Sequence, residues 1–292
     1  MKLLWYSIKY YKGLGTSTSK EFKEYFENKK VVSFKSTGKE SSSKIDMVFN
    51  KKRSDDRKNW LSNYDKNLYL DTTHREISYE NFVNKEFIHF SKADCERSIN
   101  NLYDGLKTSL RKILYSAFKK NLTSEIKVAQ FSGYVSEHSG YHHGEASLNA
   151  AIVGLAQTFI GSNNINIFKP NGQFGTRLKG GKDAASERYI FTELSSITKY
   201  IFIPEDNNIL EYNYDDGDMV EPVSYIPIIP MVLVNGAIGI GTGFSTFIPQ
   251  FNPLDLINNL LAKLLGDEIN DDLLPWYKDF TGSVEEIYTN SH

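Results

Sequence analysis

The sequence predicts an α+β fold, and three observations carry that prediction. A strand-like stretch, a glycine turn and a capped helix follow one another over residues 1–28. Apolar residues recur at helical spacing in several blocks between 78 and 202. Two short stretches then flank Asp215-Asp216-Gly217-Asp218, a sequence suited to a hairpin turn. Helices followed by a small hairpin are the parts of a winged helix.

Each element rests on its own local signal. Leu3 to Tyr11 alternates as a strand does, and the loop Lys12-Gly13-Leu14-Gly15 follows. Thr18 and Glu21 form a capping box that opens a helix with Phe22, Tyr25 and Phe26 on one face. One such unit cannot bury a core of its own, so residues 1–28 read as the end of a larger α/β domain. Val31 to Lys52, rich in serine and lysine, reads as a surface connection. Helices are expected over 55–67 and 78–99, the second with Phe82, Phe87 and Phe90 toward a core. Ser98 to Phe118 carries Leu102, Leu106, Leu110, Ile113, Leu114 and Phe118 at helical spacing, with Gly105 between two short helices, as in a helix-turn-helix. Further helices are expected over 144–160, over 185–202 (Ile190, Leu194, Ile197, Ile201) and over 254–265, the last ended by Gly266.

Composition bounds what the chain can do. Charged residues make up 24% and hydrophobic ones 40% of its 292 residues, the balance of a globular protein. A net charge of −2 advertises no polyanion partner, so a nucleic-acid site has to come from local clustering. Such a cluster exists: Lys107, Arg111, Lys112, Lys119 and Lys120 fall between Asp104 and Glu125 with no acidic residue among them. It fits a solvated face or a DNA contact, and both readings stay open. The lone Cys95 excludes an internal disulfide and reads as a structural thiol. The apolar run before Lys9 and Lys12 is too short for a signal peptide. Residues 223–254 carry no charge, but Pro227, Pro230, Pro249 and Pro253, with Asn235, Gly236, Gly239, Gly241 and Gly243, would break a spanning helix, so the stretch reads as buried strands and tight turns.

Two glycine-rich motifs fail on inspection. In Gly236 to Gly243, Phe244 stands where a dinucleotide-binding loop needs its third glycine. In Gly175 to Asp183, Thr176 replaces the first glycine of a P-loop and Asp183 the hydroxyl residue after Lys182. Tyr141-His142-His143-Gly144-Glu145 sets two imidazoles at a helix start. Adjacent histidines point apart and no third metal ligand is evident, whereas the free N–H groups of a helix N-terminus suit a phosphate.

Arg188-Tyr189 is the most informative pair. A tyrosine beside an apolar stripe is ordinarily a packing residue. Here Arg188 adjoins it and the basic loop Arg177-Leu178-Lys179-Gly180-Gly181-Lys182 precedes it. Such a cluster can hold a phosphodiester and stabilise the charge that develops in phosphoryl transfer. A phenol with a pKa near 10 needs that help to act as a nucleophile.

Several long motifs resemble one family in order along nearly the whole chain. Lys9 to Thr18 (KYYKGLGTST) resembles the end of the TOPRIM domain of eukaryotic-type type IIA DNA topoisomerases, and Asp94 to Phe118 resembles the opening of their winged-helix domain. Residues 127–145, 161–195 and 221–244 are similar as well, and the likeness is weakest in 28–50 and 267–292. Asn100-Asn101 departs from the usual Pro-Ser, which leaves open how the first short helix is entered.

The resemblance implies domains and roles. Residues 1–28 would be the C-terminal part of TOPRIM, 29–77 a connecting segment, 78–220 the winged-helix DNA-cleavage domain and 221–292 the beginning of the tower domain. Tyr189 would form a transient 5′-phosphotyrosine link while a second copy cuts the other strand, and Arg188 would brace the scissile phosphate. His142 and His143 would support it, Arg111 and Lys112 would grip the backbone, and Lys12 would lie against the DNA. Ile240 would wedge between base pairs and bend the duplex.

The TOPRIM acidic residues that hold Mg²⁺, and the ATPase domain, are not found in this sequence. The chain is therefore expected to cleave little or not at all alone, either as a gene fragment or as a subunit completed by a separate ATPase/TOPRIM chain. Its expected partners are double-stranded DNA and a second copy of itself, with no membrane. Its expected place is the nucleus if it is cellular, or the host cytoplasm or nucleus if viral. Two alternatives stand beside the enzyme: a non-catalytic winged-helix DNA-binding module and a sequence-specific helix-turn-helix factor.

Overall fold

The computed structural model describes Lys9 and residues 14–269 and 272–286, and these divide into two compact units, 1–89 and 90–292. The strand expected over Leu3–Tyr11 and the candidate Lys12 lie outside the described residues.

In the first unit, α1 (Ser19–Glu27) opens with the capping box read from the sequence. The Thr18 N–H donates to Glu21 Oε2 at 2.6 Å and the Glu21 N–H to Thr18 Oγ1 at 3.3 Å. Strand β1 (Ser33–Lys35) pairs in parallel with β2 (Glu76–Ser78). Between them run α2 (Lys39–Phe49) and α3 (Ser54–Ser62). After β2 come α4 (Tyr79–Phe82), a π-type turn over Val83–Phe87 and the start of α5 (Ile88–Ser98). Residues 31–52 are therefore not a surface connection. Met47 and Val48 of α2 are buried with Val83, and Trp60, Phe82 and Phe87 pack on them. Three serines obscured this helix, but its last turn supplies the apolar surface that a small unit needs. The helix expected to reach residue 67 stops at Ser62, and Phe90 is exposed rather than core.

The second unit is built on α6 (Thr108–Lys120), α7 (Val128–His138) and α8 (Glu145–Ala156). Ile113, Leu114 and Ala117 of α6 meet Val128, Phe131 and Val135 of α7 and Leu148 and Ile152 of α8, all 0–1% exposed. Short strands β3 (Ile126–Lys127) and β4 (Phe191–Thr192) pair antiparallel beneath them. Next come α9 (Thr198–Ile201) and the hairpin β5 (Tyr212–Asp215) and β6 (Asp218–Pro222). Its turn residues Asp216 and Gly217 both have positive φ, 52° and 92°, as a tight two-residue hairpin turn requires. After α10 (Met231–Val234), β7 (Ala237–Gly241) and β8 (Phe244–Ile248) form a second hairpin. Finally α11 (Pro253–Leu265) is capped by Asn252 and ended by Gly266 at φ 81°.

Two expectations need correction. The short helix expected just before Gly105 does not form: residues 99–107 are turns and extended chain. Leu102 lies in a turn and is exposed, and the long helix begins at Thr108. The departure at Asn100-Asn101 is accommodated by side chains: Asn100 Nδ2 donates to the Gly105 carbonyl at 2.7 Å, and Asn101 Oδ1 accepts from the Tyr103 N–H at 2.8 Å. The helix expected over 185–202 does not form. Backbone groups there pair across to other segments. Phe191 N–H donates to Asn171, Leu194 N–H to Leu122 and Ser195 N–H to Ile167. Ile190, Leu194 and Ile201 are buried as expected, but a strand and a single helical turn bring them there. Tertiary pairing overrode a helical period.

Candidate functional site

Arg188 and Tyr189 stand on a turn that also caps a helix. The Val128 N–H donates to the Ile190 carbonyl and the Ala129 N–H to the Glu187 carbonyl, both at 3.1 Å, so the turn satisfies the first free donors of α7. The Tyr189 N–H closes on the Ser186 carbonyl at 2.9 Å. Ile190, 1% exposed, anchors the turn in the core, and the next two residues enter β4. A rigid base therefore presents two outward side chains: Tyr189 is 77% exposed and Arg188 is exposed. Neither side chain has a hydrogen bond or ion pair among the described residues.

The basic loop is shaped by its glycines and by Asp183. Gly175 and Gly181 cross so closely that a Cβ on Gly175 would lie 2.6 Å from the Gly181 backbone. Asp183 closes the loop by accepting from the Thr176 N–H at 2.8 Å and the Thr176 hydroxyl at 2.7 Å. These bonds, the backbone one first, hold its carboxyl below the usual aspartate value. Asp183 thus has a structural job at the position where a P-loop would carry a hydroxyl. Arg177, Lys179 and Lys182 are left exposed around it.

Lys182 and Arg188 line one groove, a cavity of about 810 Å³, together with Gly181 and the first turns of α8. The groove is not uniformly basic, because Glu145 and Glu187 also line it. Glu145 occupies the first turn of α8, where a carboxylate already satisfies the helix dipole. Asn149 is a residue the sequence reading missed. It lines this groove at 8% exposure, and its Oδ1 has no hydrogen-bond partner. A polar residue one step from the apolar line Leu148–Ile152–Leu155 was the available signal.

Three further candidates, His142, His143 and Lys112, line a second groove of about 770 Å³ together with Arg97 and Lys107. His142 Nε2 meets Asp215 Oδ2 at 2.8 Å, tying the loop before α8 to the β5–β6 hairpin. His143 is exposed, stands edge-on to the ring of Tyr141 at 5.5 Å, and has no hydrogen bond among the described residues. Lys112 turns inward: its Nζ donates to Glu221 Oε2 at 2.6 Å and to the Ser139 carbonyl.

Arg111 corrects the sequence reading. It is 4% exposed and forms a two-point ion pair with fully buried Asp104, so as placed it has no surface for a DNA backbone. Its charge partner lies seven residues upstream in the sequence.

Ile240 projects from the β7–β8 hairpin at 79% exposure, and Ile238 beside it at 65%. The alternate residues explain the glycines. A Cβ on Gly239 would overlap the Ser98 carbonyl oxygen, and one on Gly241 would press on Cys95 at 3.1 Å. The glycines let β7 lie directly against the end of α5, leaving the isoleucines outward. Cys95 is structural here: its thiol donates to the Thr242 carbonyl at 3.3 Å, and burial pushes its pKa up.

Among the described residues no group of three or more His, Cys, Asp or Glu side chains converges as a metal site.

Comparison with known proteins follows the same division of the chain. The A-subunit family of DNA gyrase/topoisomerase IV matches residues 97–292, and the C-terminal associated domain of TOPRIM matches residues 2–95. DNA topoisomerase 2 of Plasmodium falciparum is 53% identical over 287 residues, covering 97% of this chain and 20% of its own length. The Saccharomyces cerevisiae enzyme of that name is 53% identical over 281 residues, covering 96% and 20%. Human DNA topoisomerase 2-alpha is 50% identical over 302 residues, covering 98% and 20%. The chain thus spans about a fifth of the length of these curated relatives. A crystal structure of the Plasmodium falciparum topoisomerase II DNA-binding, cleavage and re-ligation domain superposes with a TM-score of 0.81 at 52% identity, covering 98% of this chain and 39% of that one. With 97–292 matched to the gyrase/topoisomerase IV family and a TOPRIM-associated domain before it, the chain belongs to the type IIA DNA topoisomerases.

Proposed function

We propose that this chain is the DNA breakage–reunion core of an ATP-dependent type II topoisomerase, and that Tyr189 is its nucleophile. The observation that carries the reading is the turn at 186–190. It holds an exposed phenol and an exposed guanidinium side by side on a base fixed by Ile190 and the start of α7. Tyr189 Oη would give up its proton and attack a backbone phosphorus, the bond from phosphorus to the 3′ oxygen would break, and that oxygen would take up a proton and leave as a 3′-hydroxyl. The 5′ end would remain on Tyr189 as a phosphotyrosine diester. Attack by the 3′-hydroxyl would reverse each change and reseal the strand. Arg188 would offset the negative charge that grows on the phosphate oxygens.

Lys182, Arg177 and the His142–His143 loop would position the flanking backbone, and Ile240 would enter the stack and bend the duplex. Lys112 would act from its ion pair, by shaping the second groove. Residues 78–220 would be the winged-helix cleavage domain and 221 onward the beginning of the tower. Two copies would cut the two strands at staggered positions. Mg²⁺, ATP hydrolysis, a nuclear setting and any separate ATPase/TOPRIM chain belong to the whole enzyme that this reading implies. Among the described residues no helix is long and apolar enough to cross a membrane.

The test is covalent capture. The chain, supplied with a TOPRIM partner and Mg²⁺, is incubated with end-labelled duplex and denatured. Label retained on protein, and lost in Tyr189→Phe, is the expected result. Tight duplex binding with no adduct would favour the non-catalytic winged-helix module.

A further inference from the structure

Leu178 is 89% exposed, more than Ile240 at 79% or Tyr189 at 77%. Single exposed leucines are common on protein surfaces, and exposure alone assigns nothing. Two further observations set this one apart: the backbone beneath it is fixed, and the side chains around it are cations.

Leu178 is the middle residue of the single helical turn Arg177–Lys179. The Thr176 carbonyl accepts from the Lys179 N–H at 3.3 Å and from the Gly181 N–H at 2.8 Å, and the Gly180 N–H donates to the Arg177 carbonyl at 3.0 Å. Gly180 and Gly181 both take positive φ, 58° and 78°, so the chain reverses directly after the turn. At the base, Gln157 Nε2 donates to the Phe174 carbonyl at 2.8 Å and to the Gly181 carbonyl at 3.3 Å, and the Phe174 side chain is buried. The loop therefore holds Leu178 out from a constrained base.

Arg177 and Lys179 are exposed on either side of it and Lys182 follows, and none of the three has a hydrogen bond or ion pair among the described residues. The one carboxylate of the loop, Asp183, is engaged by Thr176. A protein partner would have to strip these cations of water together with the leucine, and would need acidic groups to meet them. A duplex supplies a negative charge at every nucleotide. It also takes apolar side chains, leucine among them, between its base steps.

We propose that Leu178 is a second apolar wedge of this chain's duplex interface, a proposal that rests on the DNA-binding reading above. Arg177 and Lys179 hold backbone phosphates, and Leu178 between them enters the minor groove and partly unstacks the base step it meets. That step is distinct from the one opened by Ile240, which stands on a separate hairpin. The cations supply the attraction and the leucine the deformation, so the two effects separate by substitution.

The experiment titrates the full chain into a duplex carrying 2-aminopurine at many positions, whose fluorescence rises on unstacking. In Leu178→Ala the rise is expected to fall by about half, as two equivalent wedges give, and in the double variant with Ile240→Ala to be nearly lost. Leu178→Ile is expected to restore it. The slope of log affinity against log salt is expected to be unchanged in Leu178→Ala, because no phosphate contact is removed. A wild-type chain that binds no duplex overturns the DNA-binding reading and this proposal with it. A wild-type chain that binds and unstacks, with Leu178→Ala indistinguishable from it, overturns this proposal alone. Self-association lost in Leu178→Ala by sedimentation, with the fluorescence rise intact, makes the side chain a contact between copies and also overturns it.

Discussion

Arg111 and Asp104 are locked together in the interior: Nε donates to Oδ2 at 2.6 Å and a terminal nitrogen to Oδ1 at 3.1 Å, with side chains 5% and 0% exposed. Asp104 also accepts the backbone N–H groups of Leu106 and Tyr225, and Arg111 donates to the Leu106 carbonyl. The pair therefore fixes the turn before α6 to the chain entering residue 225. Removing one partner strands the other as a buried charge. Asp104→Ala and Arg111→Ala are each expected to cost about 3–5 kcal/mol of unfolding free energy in urea titrations. A loss under about 1 kcal/mol would mean that the pair is solvated in solution.

The DNA-binding reading assigns phosphate contact to the exposed cations. Lys182→Ala and Arg177→Ala are each expected to lower the slope of log affinity against log salt by about 1, in duplex anisotropy titrations. A slope unchanged in both variants would remove the 176–183 loop from the interface.

Ile240 and Gly239 are adjacent and separate two effects. Ile240→Ala trims a side chain 79% exposed, so stability is expected to stay within about 0.5 kcal/mol while bending of a doubly labelled duplex by energy transfer falls. Gly239→Ala places a Cβ against the Ser98 carbonyl and is expected to destabilise by about 1–3 kcal/mol. Full bending by Ile240→Ala would exclude the wedge.

Asp183 gives a pH prediction. Its carboxyl is held below the ordinary value of 3.8, first by the Thr176 N–H and then by the Thr176 hydroxyl. A group whose folded pKa is depressed stabilises the fold fully above its unfolded value. That contribution is lost as pH falls through the lower folded value. The Thr176 amide resonance is therefore expected to titrate with a midpoint below 3.8, and Asp183→Ala to abolish that transition. A midpoint at or above the ordinary value would show the loop closure to be absent in solution.

What was legible in the sequence was local. The Thr18–Glu21 capping box, the Asp216-Gly217 turn and the Gly266 stop each depend on a few adjacent residues, and each appears where expected. The core of α6 and α8 was legible from period alone. What failed depended on distant partners. The spacing of Ile190, Leu194 and Ile201 fits a helix, but carbonyls at Asn171, Leu122 and Ile167 claim the backbone between them. The charge of Arg111 was read as surface because nothing in the sequence marks Asp104 as buried. Arg188 and Tyr189 were singled out by residue chemistry, yet the turn that presents them was not, because its anchors are amides at the start of α7.

The role given to Tyr189 requires that this one phenol become linked to DNA. The chain has 18 tyrosines, so locating the link is more decisive than detecting it. The denatured adduct can be digested with nuclease and protease and its nucleotide-bearing peptide sequenced by mass spectrometry. A single modified peptide is expected, carrying a 5′-linked nucleotide on Tyr189. A nucleotide on any other side chain, with Tyr189 recovered unmodified, would contradict that role.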